Sequence, residues 1–136
     1  MIGASAALTI SDIPFGGPTA AVNVGYVDNQ IVINPTLAQR ENSRLNLTVA
    51  GTLEKITMIE AGADEIPNET MLEAIKQAHE EIKKICNFIS QMKSEIGKPK
   101  FEYKSFAVDK EIYNEIELNF KQRMYQDVQA QNKEVR

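Results

Sequence analysis

Between Met71 and Ile96, apolar residues fall at Met71, Ile75, Ala78, Ile82, Ile85, Ile89, Met92 and Ile96, at intervals of 4, 3, 4, 3, 4, 3 and 4. Only an α-helix gathers that spacing onto one face. Leu72 and Cys86 widen the stripe on one flank. Asn68 reads as the N-cap with Glu69 in the first turn, and Gly97 and Pro99 mark the stop. The spacing therefore predicts a helix over 68–96, about eight turns long. The stripe ends after about four heptads, so it is expected to cover a core within the domain rather than to form an independent coiled coil.

The segment ahead of it supplies something to cover. Ala21-Val-Asn-Val-Gly-Tyr-Val27 and Gln30-Ile-Val-Ile-Asn34 flank Asp28-Asn29, two residues that tolerate positive φ, which predicts a tight hairpin. Pro35 has no N–H for a ladder and ends the second strand. The stretch RENSRLNLTVAG, Arg40 to Gly51, begins polar and then alternates Leu45, Asn46, Leu47, Thr48, Val49, as a half-buried strand entered from a polar loop does. Residues 51–55 turn the chain and Ile56-Thr-Met-Ile-Glu60 forms a fourth strand. Strands near 20–27, 30–34, 44–50 and 56–60 with short links predict an antiparallel meander, and with the long helix an α+β fold.

Both ends read as helical. Residues 1–11 carry Ile2, Ala6, Leu8 and Ile10 among small residues, with no N-cap, as though the helix were truncated. KPKFEYKSFA, Lys98 to Ala107, is linker-like. Asp109 then caps a second pattern with Ile112, Ile116, Phe120, Met124 and Val128 on its apolar face. This helix is expected over 109–128 and to pack poorly on the rest. The polar end QAQNKEVR carries no stop signal and reads as a second truncation point.

Composition narrows the function classes. Hydrophobic residues make up 43% and charged residues 25% of 136, which places the chain among globular rather than disordered proteins. The net charge of −4 gives no whole-chain attraction to nucleic acid or anionic membrane. No apolar run reaches the ~20 residues of a membrane span. The lone Cys86 excludes an internal disulfide, fits a reducing compartment and reads as a small buried hydrophobe. One His and one Cys cannot build a zinc site without carboxylates. His79, on the line of Leu72 and Cys86, reads as a boundary histidine, since no nucleophile is placed near it. Gly16-Gly17-Pro18 lacks the spacing of a phosphate loop. Asp64-Glu65 and Glu80-Glu81 read as solvated acid pairs. Lys98, Lys100, Phe101, Tyr103, Lys104 and Phe106 interleave charge with aromatics. A single-strand-binding segment and a connector pinned by its aromatics share that pattern. The residues by themselves define an antiparallel α+β domain without an evident active site, and a free-standing oligomerisation or interaction module fits them.

A set of short motifs adds a resemblance. Gly3-Ala4-Ser5-Ala6-Ala7-Leu8, Ile13-Pro14-Phe15, Gly25-Tyr26, Asn34-Pro35-Thr36 and Val49-Ala50-Gly51-Thr52 stand in order, followed by Met71-Leu72, Ala78-His79-Glu80 and Gly97-Lys98-Pro99. In that order and spacing the chain resembles the polyribonucleotide nucleotidyltransferase (polynucleotide phosphorylase) family, in the first of its two RNase PH-like repeats. The resemblance implies a bacterial, cytoplasmic, phosphate-dependent 3′-to-5′ exoribonuclease that releases nucleoside diphosphates, is supported by magnesium, and forms a homotrimeric ring threaded by RNA. It implies that residues 1–15 end the repeat's first half, 16–97 form its RNase PH-like second half, and 98–136 begin the helical region between repeats. The family's catalytic second repeat carries an Asp, a second Asp six residues on and a Lys two beyond that, just before Val-Ala-Gly. Counted back from Val49-Ala50-Gly51, those positions here are Arg40, Asn46 and Thr48. The family's phosphate-binding serines would fall upstream of Met1. The resemblance thus implies no catalytic, cofactor-binding or metal-binding residue in this chain, a magnesium ion bound outside it, and RNA and inorganic phosphate as partners of the longer protein.

Overall fold

A computed structural model of the chain describes residues 1–130; residues 131–136, most of the polar tail read above, lie outside the described residues. The chain divides into two compact units, Met1–Glu102 and Tyr103 onward. In the first, α1 (Ile2–Ile10) is followed by β1 (Ala20–Val27), β2 (Gln30–Ile33), a short α2 (Leu37–Glu41), β3 (Leu45–Gly51), β4 (Ile56–Ala63) and α3 (Asn68–Ile96). The second holds α4 (Lys110–Gln129). Among the described residues no helix is long and apolar enough to cross a membrane.

The four strands form one antiparallel sheet with α3 across it, the α+β arrangement the patterns predict. Asp28 and Asn29 make the β1–β2 turn at φ 50° and 60°. The strand order is β2-β1-β3-β4, however, and not the meander expected from the short links. Asn34 is the cause. It sits at φ 52°, its N–H donates to the Asn23 carbonyl, and its side-chain oxygen accepts from the Asn23 N–H at 3.1 Å. The amide ends the β1–β2 ladder just before Pro35, which cannot extend it. Residues 34–44 then carry the chain past the end of β1, so β3 pairs on its far side.

The core is the inner face of β1 and β3 beneath α3. Ala20, Val22, Val24, Leu45, Leu47 and Val49 are buried there with Ala74, Ala78, Ile82 and Cys86. Two expectations about α3 are corrected. Its cap position is Pro67, and Asn68, the expected N-cap, is already helical and makes no side-chain cap bond. Proline's fixed φ suits a helix entrance, and Glu69 still lies in the first turn. The buried line is also rotated from the predicted stripe. It runs through Ala74, Ala78, Ile82, Cys86 and Ile89, while Met71, Ile75 and Ile85 flank it and Ile96 is exposed. The two alanines let the first half of the helix approach the sheet closely, and Ile82 and Ile89 fill the core further along. α1 also buries a face other than the expected one. Its buried residues are Ser5 and Thr9, not the apolar set Ile2, Ala6, Leu8 and Ile10. Both hydroxyls are satisfied: Thr9 Oγ1 donates to the Ser5 carbonyl at 2.6 Å, and Ser5 Oγ accepts from Thr19 N–H at 2.8 Å. Burying them therefore carries no desolvation penalty for an unpaired group.

α4 forms where Asp109 caps it, its Oδ1 accepting from the N–H groups of Glu111 and Ile112. None of its residues is buried, and Phe120 and Tyr125 are exposed.

The extent of α3 over the sheet sets a contrast within one face. Leu47 is fully buried, whereas Ile59, opposite Val49 on that face of β4, is half exposed beyond the helix. Leu47→Ala is expected to destabilise by about 3 kcal/mol and Ile59→Ala by less than about 1 kcal/mol. Urea midpoints at unchanged m-value measure both.

Candidate functional site

Arg40, Asn46 and Thr48 come together on the outer face of the sheet, the side away from α3. Strand alternation places them there. Leu45, Leu47 and Val49 point inward, so Asn46 and Thr48 point outward. Arg40 arrives from α2. Thr36 and Gln39 form a reciprocal capping box that starts this helix, and Arg40 Nε donates to the Pro35 carbonyl at 3.1 Å. The floor depends on Gly25. A Cβ there would lie 3.0 Å from Ser43 Oγ and 3.2 Å from Pro35 Cγ. Glycine lets the crossing loop close onto β1, where Ser43 Oγ donates to the Leu45 carbonyl at 2.6 Å and accepts from Tyr26 N–H at 2.9 Å.

The result is a recess of about 140 Å³ lined by Asn23, Pro35, Arg40, Ser43 and Asn46 among others. Thr48 borders it, its Oγ1 donating to Asn23 Oδ1 at 2.9 Å. The outward polar groups are thus one guanidinium, two amides and two hydroxyls. Among the described residues neither the Nη nitrogens of Arg40 nor the side-chain amide of Asn46 has a partner. A divalent ion takes hard, usually anionic, oxygen ligands. This set offers neutral oxygens beside a fixed positive charge and does not fit one. Nor do the described residues elsewhere gather three or more His, Cys, Asp or Glu side chains able to hold a metal.

The remaining singled-out residues play structural parts. His79, at the edge of the core, faces the Thr52 carbonyl with Nε2 at 3.1 Å, which ties α3 to the β3–β4 turn. Cys86 is fully buried with Sγ 3.5 Å from the Pro18 carbonyl, and burial pushes its thiol pKa up, so it stays protonated at neutral pH. Glu80 and Glu81 lie on the surface in pairs with Lys83 and Lys84. Lys83 holds the Glu80 carboxyl below its usual range through a hydrogen bond and its charge. Asp64 and Glu65 are exposed, and Arg44 Nη2 donates to both their carbonyls. Phe101, Tyr103 and Phe106 are all exposed. The roles of Ser43 and Gly25 at the recess were not visible beforehand. Gly25 stood in a strand pattern, where an isolated glycine signals close backbone approach, and that was the available clue.

The chain also matches known proteins. Residues 17–81, which contain the whole sheet and the first half of α3, match the 3′ exoribonuclease family, domain 2. The fold is that of a ribonuclease-family domain. Polyribonucleotide nucleotidyltransferase of Caldicellulosiruptor saccharolyticus is 54% identical over 98% of this chain and 19% of its own length. That of Bacillus subtilis is 46% identical over 100% of the chain and 19% of its length, and that of Finegoldia magna 54% identical over 82% and 16%. The chain belongs to the polyribonucleotide nucleotidyltransferase family as a segment, spanning about a fifth of the length of these curated relatives.

The Asn23–Thr48 bond couples β1 to β3 on the outer face. Thr48→Val leaves Asn23 Oδ1 without its donor. It is expected to destabilise by about 1 kcal/mol, and a double-mutant cycle with Asn23→Ala should return a coupling energy of about 1 kcal/mol. Equilibrium urea unfolding of the four proteins in the cycle provides the values.

Proposed function

We propose that this chain is a non-catalytic repeat of a phosphate-dependent 3′-to-5′ exoribonuclease. Residues 1–15 close the first half of an RNase PH-like repeat, 16–97 form its second half, and 98–136 open the helical region that follows. The observation that carries this reading is the donor set at the recess. Where the family's catalytic repeat places two carboxylates and a lysine, this chain places Arg40, Asn46 and Thr48. In-line phosphoryl transfer needs a metal to offset charge on the attacking and leaving oxygens. Arg40 repels such a cation, the Asn46 carbonyl is neutral, and the Thr48 hydroxyl is already directed at Asn23.

In this reading the longer protein acts in the cytoplasm. It takes RNA and inorganic phosphate, releases nucleoside diphosphates, holds its magnesium on residues outside this chain, and assembles as a homotrimeric ring to which this repeat contributes architecture. The names of the relatives support the activity, and the antiparallel sheet under α3 supports the architectural role. The alternative is a free-standing interaction module. The two readings part at the parent reading frame, since a second repeat with an intact Asp, Asp and Lys set belongs only to the first.

The 136-residue chain should release no nucleoside diphosphate from a homopolymer RNA given phosphate and magnesium or manganese, measured against a mock purification. Arg40→Asp with Asn46→Asp and Thr48→Lys should leave it inactive, because three side chains restore only part of a phosphorolytic site. In the full-length polypeptide, Arg40→Ala with Asn46→Ala should keep kcat within about twofold. Turnover by the unmodified chain, or collapse of kcat in that double variant, sinks the proposal.

A further inference from the structure

α1 ends without a basic residue in its last turn. The carbonyls at its C-terminal end need donors, and the negative end of the helix favours a cation. The donors come from about ninety residues further along the chain. Lys100 Nζ lies 3.0 Å from the Leu8 carbonyl, 2.9 Å from that of Thr9 and 2.5 Å from that of Ser11. An ammonium has three protons, and all three are engaged. On either side the backbone joins in: Lys98 N–H donates to the Ile10 carbonyl at 2.8 Å and Phe101 N–H to that of Asp12 at 2.9 Å. Five consecutive carbonyls, from Leu8 to Asp12, are thus held by residues 98–101.

The local sequence builds this segment for the task. Gly97 ends α3 in an extended conformation where a Cβ would collide with the Lys93 carbonyl. Pro99 cannot continue a helix and keeps Lys98 extended. Lys98 and Phe101 then present their N–H groups to α1, and Lys100 is half-buried with its charge on the helix end. The Lys98 side chain is exposed, and only its backbone N–H takes part.

We infer that residues 98–101 form a latch, with the Lys100 ammonium as its bolt, that holds the end of α1 to the exit from α3 and fixes the point where the chain leaves the first unit. Opening it strands the carbonyls of Thr9, Ile10, Ser11 and Asp12 together, while Leu8 keeps the Ser11 hydroxyl, and it frees the segment after Gly97. Because the bolt is an ammonium in a carbonyl cage, the latch depends on charge and donor number, not on the packing of the lysine stem.

Hydrogen exchange at single residues in the full chain tests this. Lys100→Met keeps the stem and removes the charge. It should speed exchange of the Lys98 and Phe101 amides at least about tenfold more than that of the β3 amides, which report global unfolding. Lys100→Ala leaves the cage open to a small cation. Ammonium chloride should then restore protection at Lys98 and Phe101, while tetramethylammonium chloride at equal ionic strength should not. Unchanged protection in Lys100→Met overturns the latch. So does an equal rise at the β3 amides, which makes Lys100 an ordinary stabilising contact, and so does equal restoration by the two salts.

Discussion

The inner face of β3 lies beneath the small residues of α3, and most of the molecule's order follows from that contact. Leu45, Leu47 and Val49 are buried under a helix face formed by Ala74, Ala78, Ile82 and Cys86. The two alanines bring helix and sheet close at one end, and Ile82 and Cys86 continue the contact along the helix. Packing at that density leaves few alternative registers, because sliding β3 by one residue would bury Asn46 and Thr48 and expose the leucines. β1 is held on one side of β3 and β4 on the other. The cost of the arrangement appears at β4, where α3 no longer reaches and Ile59 remains half exposed.

What the sequence made legible follows from the same physics. Periodicity reports which residues share a face, and it located the long helix, the four strands and the Asp28-Asn29 turn. It does not report how far two backbones approach. That is why the buried line on α3 passes through Ala74 and Cys86 rather than the larger Met71 and Ile75, and why α1 buries Ser5 and Thr9. Strand order escaped for another reason. A short link between β-rich runs signals adjacency only when nothing forces the chain across, and here the Asn34 amide closes the ladder before Pro35. The recess was half legible. Arg40, Asn46 and Thr48 were found by counting from a motif, but Ser43 and Gly25, which shape it, needed coordinates.

Lys100 shows a further limit. In sequence it is one of three lysines among aromatics, and composition treats the three alike. In the structure its charge is bound to backbone carbonyls far away along the chain, while its neighbours remain in solvent. Polar side-chain to backbone bonds over long separations have no periodic signature, so they are the least readable part of any fold. They are also where small sequence motifs acquire meaning. Gly97 and Pro99 look like a generic helix stop, yet together they aim the following residues at α1.

The two faces of β3 separate stability from chemistry. Inward residues are constrained by volume, outward residues only by solubility and by their neighbours on the surface. A strand of this kind can therefore lose every charged group of a reaction site while keeping Leu45, Leu47 and Val49, and the domain persists. The groups at the recess fit that division. Thr48 and Asn23 exchange a neutral hydrogen bond across β1 and β3, and Arg40 is anchored to its own loop through Pro35. A pair of carboxylates at positions 40 and 46 would repel each other unless a cation lay between them. The observed set needs no cation to be stable, which supports the proposed architectural role.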